Sequence, residues 1–358
     1  MIFSRLLKID WWLIMAILVL FIFSLTFLFG YNEHFFWRQL RWDILAIFII
    51  FFAGFFNWQF ILSQKWFIYF LYWLSISFLF VSLFSSPLVR GTSSWLKLGE
   101  WRFEPAELAK VALILLLASF FSRRHLEAWQ TKNILISSFY ALLPAVLIIL
   151  QPDLGSAIVL ISIWAGFLLM GKISRSKLLW GIIFLLILLV LGWNFFLRPY
   201  QKDRLIGFLF PDRDPLGINY HSLQAKIAIG SGGFFGKGFM GGTQSQFRFL
   251  PEAQADFIFA ALVEEWGVLG GLIIILTFMM IIVRLIQIGE RARNNSFKFI
   301  CLGTVLSLAF QFFLNVGSNL AILPITGITF PFLSYGGSSL LTTAFLINII
   351  QYIHLESS

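Results

Sequence analysis

Asp256 stands at the end of a long polar segment, in Phe249-Leu-Pro-Glu-Ala-Gln-Ala-Asp256-Phe-Ile-Phe-Ala, where the chain turns back into an apolar run. An ionisable group costs roughly 2.5 kcal/mol or more at the centre of a membrane helix, so a carboxylate kept at such a place is read first as functional. Glu252 precedes it, and Glu264 and Glu265 follow in what reads as the same helix. On a continuous helix Glu264 lies two turns along and roughly 80° around, nearer the Asp256 face than Glu265. Several carboxylates about one polar cavity raise each other's pKa, which suits a general base or a cation site.

Three other constellations join them. Arg90-Gly-Thr-Ser-Ser-Trp95-Leu-Lys97-Leu-Gly-Glu-Trp-Arg102-Phe-Glu104-Pro105-Ala-Glu107-Leu-Ala-Lys110 leads into an apolar helix. Pro105 suits its first turn, where the missing N–H costs nothing, and Glu107 and Lys110 share one face three residues apart. They read either as an interfacial salt bridge or as a pair facing a polar cavity, while Trp95 reads as a headgroup-level anchor. In Gln151-Pro152-Asp153-Leu-Gly155-Ser156, Asp153 or Ser156 caps the next helix, and Asp153 is a second candidate for the cavity. The 58 residues from Arg198 to Ala255 form a connection too long to be a mere spacer. It carries Arg204, Lys226, Lys237 and Arg248 around glycines between Gly230 and Gly242, followed by Gln244 and Ser245. This is expected to be a flexible, cation-bearing segment at the membrane surface, its backbone N–H groups open to a phosphate, its cations serving a diphosphate or anionic headgroups. Neither Gly-x-Gly-x-x-Gly after a strand nor the nucleotide P-loop pattern is present.

The elements that position these groups are membrane spans. With 59% hydrophobic and 12% charged residues, the composition is that of a polytopic membrane protein. Apolar runs of spanning length lie near 11–30, 44–63, 66–84, 105–121, 133–150, 154–170, 178–197, 257–283, 299–321 and 332–353. The first is read as a retained helix, since no small-residue cleavage site follows it. Arg5, Lys8, Lys65, Arg123, Arg124, Lys132, Lys172, Arg175, Lys177, Arg284, Arg291, Arg293 and Lys298 fall on one side with few acids, which makes that side cytoplasmic. The expectation is an all-α polytopic membrane protein of about ten transmembrane helices, one domain over 1–358. Both termini are then cytoplasmic, with one large extracytoplasmic loop, 198–255, between the seventh and eighth helices. The net charge of +9 is mostly this topological bias, and no basic aqueous face for nucleic acid is present. Cys301 is the only cysteine, so no internal disulfide can form, and His34, His125, His221 and His354 are too scattered to suggest a metal cluster.

The Arg90 to Lys110 stretch, Gln151-Pro-Asp-Leu-Gly155, Leu250-Pro-Glu252 with Asp256-Phe-Ile-Phe-Ala260, Glu264-Glu-Trp-Gly267 and Leu333-Ser-Tyr-Gly-Gly-Ser-Ser339 occur in a recognisable order. In them the chain resembles the SEDS family of shape, elongation, division and sporulation proteins over nearly its whole length. Asp214-Pro-Leu-Gly217, Ile227-Ala-Ile-Gly-Ser-Gly-Gly233 and Gly242-Thr-Gln-Ser-Gln246 resemble the RodA branch more than the FtsW branch. The resemblance implies a glycosyltransferase of the cytoplasmic membrane that polymerises lipid II into peptidoglycan on the outer face, together with a class B penicillin-binding protein. It implies that Asp256 is the catalytic aspartate and that Trp95, Glu107 and Lys110 match other functionally important positions. For the leaving polyprenyl diphosphate, Arg90, Lys110, Arg204, Lys226, Lys237 and Arg248 are candidate cations. Lys97, Gln244, Ser245 and Glu252 complete the expected substrate-binding set. No cofactor is identified, and a divalent cation on the diphosphate is left open. Glu104 and Ala106 stand where the family often has Gln and Ser, Ala255 where Thr often precedes the aspartate, and Thr329 where Pro is frequent. A lipid-precursor flippase and a scaffold for the transpeptidase are the competing readings.

Overall fold

The computed structural model describes residues 8–85, 94–98, 101–171, 179, 181, 183, 192–210, 214, 217 and 219–357. Its main elements are helical: α1 (Trp11–Tyr31), α2 (Glu33–Phe51), α3 (Trp58–Ser63), α4 (Lys65–Ser85), α5 (Pro105–Phe121), α6 (Thr131–Leu150), α7 (Leu154–Leu169), α8 (Pro199–Leu209), α9 (Tyr220–Gly232), α10 (Thr243–Gln246), α11 (Ile258–Arg291), α12 (Asn295–Asn319) and α13 (Gly337–Ser357). One antiparallel hairpin, β1 (Leu96–Leu98) with β2 (Trp101–Phe103), precedes α5 and sets Lys97 opposite Arg102. Among the described residues six helices, α1, α4, α6, α11, α12 and α13, are long and apolar enough to cross a membrane. The chain is a multi-pass membrane protein, as its composition requires.

The second apolar run departs from expectation. Instead of one span over 44–63, α2 begins at Glu33 and ends at Phe51, and a 3-10 turn (Phe52–Phe55) separates it from α3. Asn32 starts α2 by accepting hydrogen bonds from the N–H groups of His34 at 2.9 Å and Phe35 at 3.4 Å. Two of the polar residues that hid this half from a hydropathy reading are buried and paired, Gln39 donating to Asp43 Oδ1 at 2.8 Å, while Asp43 Oδ2 is left without a hydrogen-bond partner. The last span likewise starts at Gly337 rather than 332, after a turn in which Phe332 has φ +64°. More than half of the run at 178–197 lies outside the described residues, as does Arg90.

Helix α5 is buried on nearly every side from Pro105 to Phe121, which is where a short helix apolar all round belongs. It packs against α4, α6, α7, α12 and α13, while α11 packs against α1, α9 and α12, and α13 against α2. At the end carrying the N-terminus, the Arg284 guanidinium on α11 holds buried Asp10, its Nε donating at 3.1 Å. Asp10 in turn caps α1 by accepting from the Leu13 N–H at 3.0 Å. Arg284 thus belongs to a helix extended eight residues past the expected end of that span.

Candidate active site

The opposite end of the bundle gathers the predicted residues. Pro105 occupies the first turn of α5, and one turn later Glu107 and Lys110 form an ion pair of 2.8 Å with both side chains buried. Lys110 Nζ also donates to Gln311 of α12 at 3.3 Å, and Thr342 of α13 donates to Glu107 at 3.3 Å. The pair therefore ties three helices together at the floor of a polar region. Asp153 caps α7 through the Ser156 N–H at 3.1 Å, the structural role expected of it. Its turn is roofed by α8, where Tyr200 and Gln201 donate to the Pro152 carbonyl at 3.2 and 3.1 Å.

Asp256 lies in a run of turns before α11, not within the helix as its spacing from Glu264 suggested. The reason is a clamp from α12. The side-chain amides of Asn315 and Asn319 both donate to the Asp256 carbonyl at 2.9 Å, and Asn319 Oδ1 accepts the Ala260 N–H at 3.0 Å. On the other side Ser334 donates to the Ala255 carbonyl at 2.6 Å and the Tyr335 N–H to the Gln254 carbonyl at 2.9 Å. The main chain is thus gripped through three successive carbonyls, which fixes the half-buried Asp256 side chain against the segment holding Gly327. Gly327 has φ +74°, and a Cβ there would come to 3.9 Å of Asp256 Oδ2.

Electrostatics joins these pieces. Glu104 is held well above the usual carboxylate range, first by burial and then by the charges of Glu107 and Asp153, with Asp256 adding to them and Lys110 opposing. Asp153 is also pushed up by burial, against the Ser156 hydrogen bonds and Lys110. Glu104 therefore feels three other carboxylates, Glu107, Asp153 and Asp256, across a region containing Lys110. The raised Glu104 and Asp153 carboxyls hold a proton more readily than free ones, a condition for general acid–base work. Among the described residues no group of three or more His, Cys, Asp and Glu side chains is arranged to hold a metal ion.

The remaining predicted residues are placed differently. Arg204 on α8 donates to the Ile325 carbonyl at 3.4 Å, two residues from Gly327, so its charge reaches the roof of the Asp256 region. It also depresses the His221 pKa, adding to the effect of burial. Lys97 is exposed on β1 and Trp95 half-buried just before it, while Lys226 is exposed on α9. Arg248 and Glu252 adopt positive φ, +59° and +54°, and their charges both reach Tyr31 at the end of α1.

Lys237, Gln244 and Ser245 converge on Glu264, which is fully buried. Glu264 Oε1 accepts from Lys237 Nζ at 2.8 Å, Thr243 Oγ1 at 3.2 Å and the Gln244 N–H at 2.9 Å. Its Oε2 accepts from the Ser245 N–H and Oγ, each at 3.1 Å. The glycine-rich segment is thus built around this carboxylate, and the expected flexible loop is replaced by α8, α9 and a pinned turn. Its glycines serve backbone contact. Helix α11 breaks at Gly267 (φ +71°), and a Cβ there would lie 2.3 Å from the Gly236 nitrogen.

Two groups of polar residues were missed in the sequence. Asn315 and Asn319 belong to a stripe Ser307, Gln311, Asn315, Asn319 at steps of four through an apolar helix, a visible signal of one polar face. Arg38, Arg41 and Arg102 bring their charges to Tyr335, beside the Asp256 turn, but are spread over α2 and the hairpin.

Residues 4–358 match the family of cell cycle proteins represented by FtsW, RodA and SpoVE. The peptidoglycan glycosyltransferase MrdB of Escherichia coli (strain K12) is 40% identical over 270 residues, 74% of this chain and 71% of that protein. The probable peptidoglycan glycosyltransferase FtsW of Coxiella burnetii is 33% identical over 339 residues, 92% and 88% of the two chains. A chain from a solved peptidoglycan synthase complex superposes with a TM-score of 0.82 at 29% identity, covering 98% of each. The rod shape determining protein RodA of Thermus thermophilus shares the fold with a TM-score of 0.71 at 24% identity, over 97% of this chain and 96% of that one. By sequence over its whole length and by fold, the chain belongs to the FtsW/RodA/SpoVE family and is RodA-like within it.

Proposed function

We infer that the chain is a peptidoglycan glycosyltransferase that polymerises lipid II for cell-wall elongation, with Asp256 as its general base. The observation that carries the assignment of Asp256 is the clamp on its turn. The main-chain carbonyls of Ala255 and Asp256 are held, and the charge of the acid reaches Glu104, which also feels Glu107, Asp153 and Lys110. In the reaction, Asp256 accepts the proton of the acceptor 4-hydroxyl as that oxygen attacks the anomeric carbon of the donor sugar. The bond to the polyprenyl diphosphate breaks as the glycosidic bond forms. Attack from the opposite face of the ring inverts the anomeric centre, turning an α-linked donor into a β-linked glycan.

The leaving diphosphate needs preorganised positive charge. Lys110 and Lys237 already serve Glu107 and Glu264, so Arg204 at the roof and the Arg38, Arg41 and Arg102 group at Tyr335 are better placed by their surroundings. Arg90, Trp95, Lys97, Lys226, Arg248 and Glu252 remain candidates for substrate contact around this core. A divalent cation on the diphosphate would have to take ligands from the substrate as well as from the protein. The topology we adopt is about ten spans with both termini cytoplasmic, residues 198–255 outside, and the active site on the extracytoplasmic face. One domain covers 1–358, and the partner is a class B penicillin-binding protein. The family's synthase complex and the basic bias of the opposite side support this arrangement.

Purified protein reconstituted in liposomes with lipid II, alone and with the penicillin-binding protein, tests the reading. Glycan strands are expected. Lipid II bound or translocated without strands in either condition would favour the flippase or scaffold.

A further inference from the structure

We propose that residues 233–242 are a re-entrant element whose aromatic side chains sit in the hydrocarbon of the bilayer, not a water-exposed loop. The inference rests on the membrane-spanning reading of α1 and α11 and is independent of the catalytic assignment. The segment fills the break in α11. The Lys237 and Gly238 N–H groups donate to the Glu264 and Glu265 carbonyls, both at 3.0 Å. The Val268 and Leu269 N–H groups donate to the Gly233 and Phe234 carbonyls at 3.0 and 3.1 Å. These four bonds satisfy backbone groups that a broken helix would otherwise expose, a requirement that is strict only where water is absent.

The length of α1 places the break inside the membrane. Helix α1 has 21 residues, about 31 Å at the helical rise, so it matches the hydrocarbon thickness. Trp266, next to the break, packs edge-on against Phe23 with centroids 5.7 Å apart. Phe23 lies eight residues before Tyr31, about 12 Å below the end of α1. At this level Phe234 is 57% and Phe235 77% exposed, and nearer the end of α1 Phe239 and Met240 are 49% and 50% exposed. Phe239 stacks on Phe29, itself 60% exposed, and the apolar surface continues down α11 through Leu272 and Leu276. The patch is continuous with the lipid-facing sides of two spans, so its occupant is lipid acyl chain.

Cys301 is the only cysteine and is buried, so site-specific spin labels can be placed in a Cys301→Ser background. Labels at Phe235→Cys, Phe239→Cys, Leu276→Cys for mid-span and exposed Arg293→Cys for water are compared in phosphatidylcholine–phosphatidylglycerol vesicles. Folding is confirmed by monodispersity before reconstitution. Collision with oxygen is expected to exceed collision with a water-soluble nickel chelate at Phe235→Cys and Phe239→Cys, as at Leu276→Cys and opposite to Arg293→Cys. Nickel collisions dominating at both loop positions would overturn the proposal. So would oxygen access that is lost on adding undecaprenyl phosphate, since the occupant would then be an isoprenoid chain.

Discussion

Asp256 and Glu264 are carboxylates eight residues apart at one end of the α11 region, and the fold treats them in opposite ways. Glu264 is fully buried and its own oxygens collect five donors from the turn at 237–245. The Asp256 turn is gripped by its carbonyls, and the charge of the half-buried acid reaches Glu104, a carboxyl that also feels Glu107, Asp153 and Lys110. A carboxylate surrounded by donors is a structural post. One whose backbone is fixed while its acid lies among other acids is poised to move a proton.

Substitutions can break this contrast. The largest effect is expected from Asp256→Asn, which should lower lipid II polymerisation by about 10²–10⁴-fold. Its thermal unfolding midpoint should match wild type, since the clamp acts on the main chain. Asn315→Ala and Asn319→Ala release that clamp, and misplacing the base should cost up to about 10²-fold. The loss should fall on kcat more than on KM in a liposome polymerisation assay. Lys237→Met leaves Glu264 short of its cation and should destabilise the fold by about 1–3 kcal/mol, allowing for partial exposure of the lysine. The unfolding midpoint in detergent should drop while activity per folded molecule is retained.

The smallest effect concerns pH. Glu104 and Asp153 have folded-state pKa values raised above their unfolded ones, so the folded state binds protons more tightly. Stability is therefore full below the ordinary carboxylate range and declines as pH rises through the window up to the raised values. Glu104→Gln, which restores the residue frequent in the family, should remove part of that decline. Thermal unfolding of the two proteins at acidic and mildly alkaline pH should show them converging at the acidic end and the variant higher at the alkaline end.

Local spacing made much of the site legible. Pro105, the Glu107–Lys110 pair and the Asp153 cap depend on neighbours within one turn, and the cost of charge in lipid singled out Asp256. The second span was misread because Arg38, Arg41 and Asp43 mask a helix whose polar groups are partly satisfied by Asn32 and Gln39. The glycines read as a phosphate nest serve a crossing between Gly236 and Gly267, residues 31 apart in sequence, which no local rule reveals. Glu264 was assigned to the Asp256 face because a continuous helix was assumed through a point where Asn315 and Asn319 hold the chain out of one.

The central claim is tested most directly by Asp256→Asn and Glu264→Gln side by side, each assayed for lipid II polymerisation per folded molecule and for its unfolding midpoint. The account expects the first to be inactive with an unchanged midpoint and the second to be active with a lowered one. An active Asp256→Asn, or a Glu264→Gln that is stable and inactive, would contradict it.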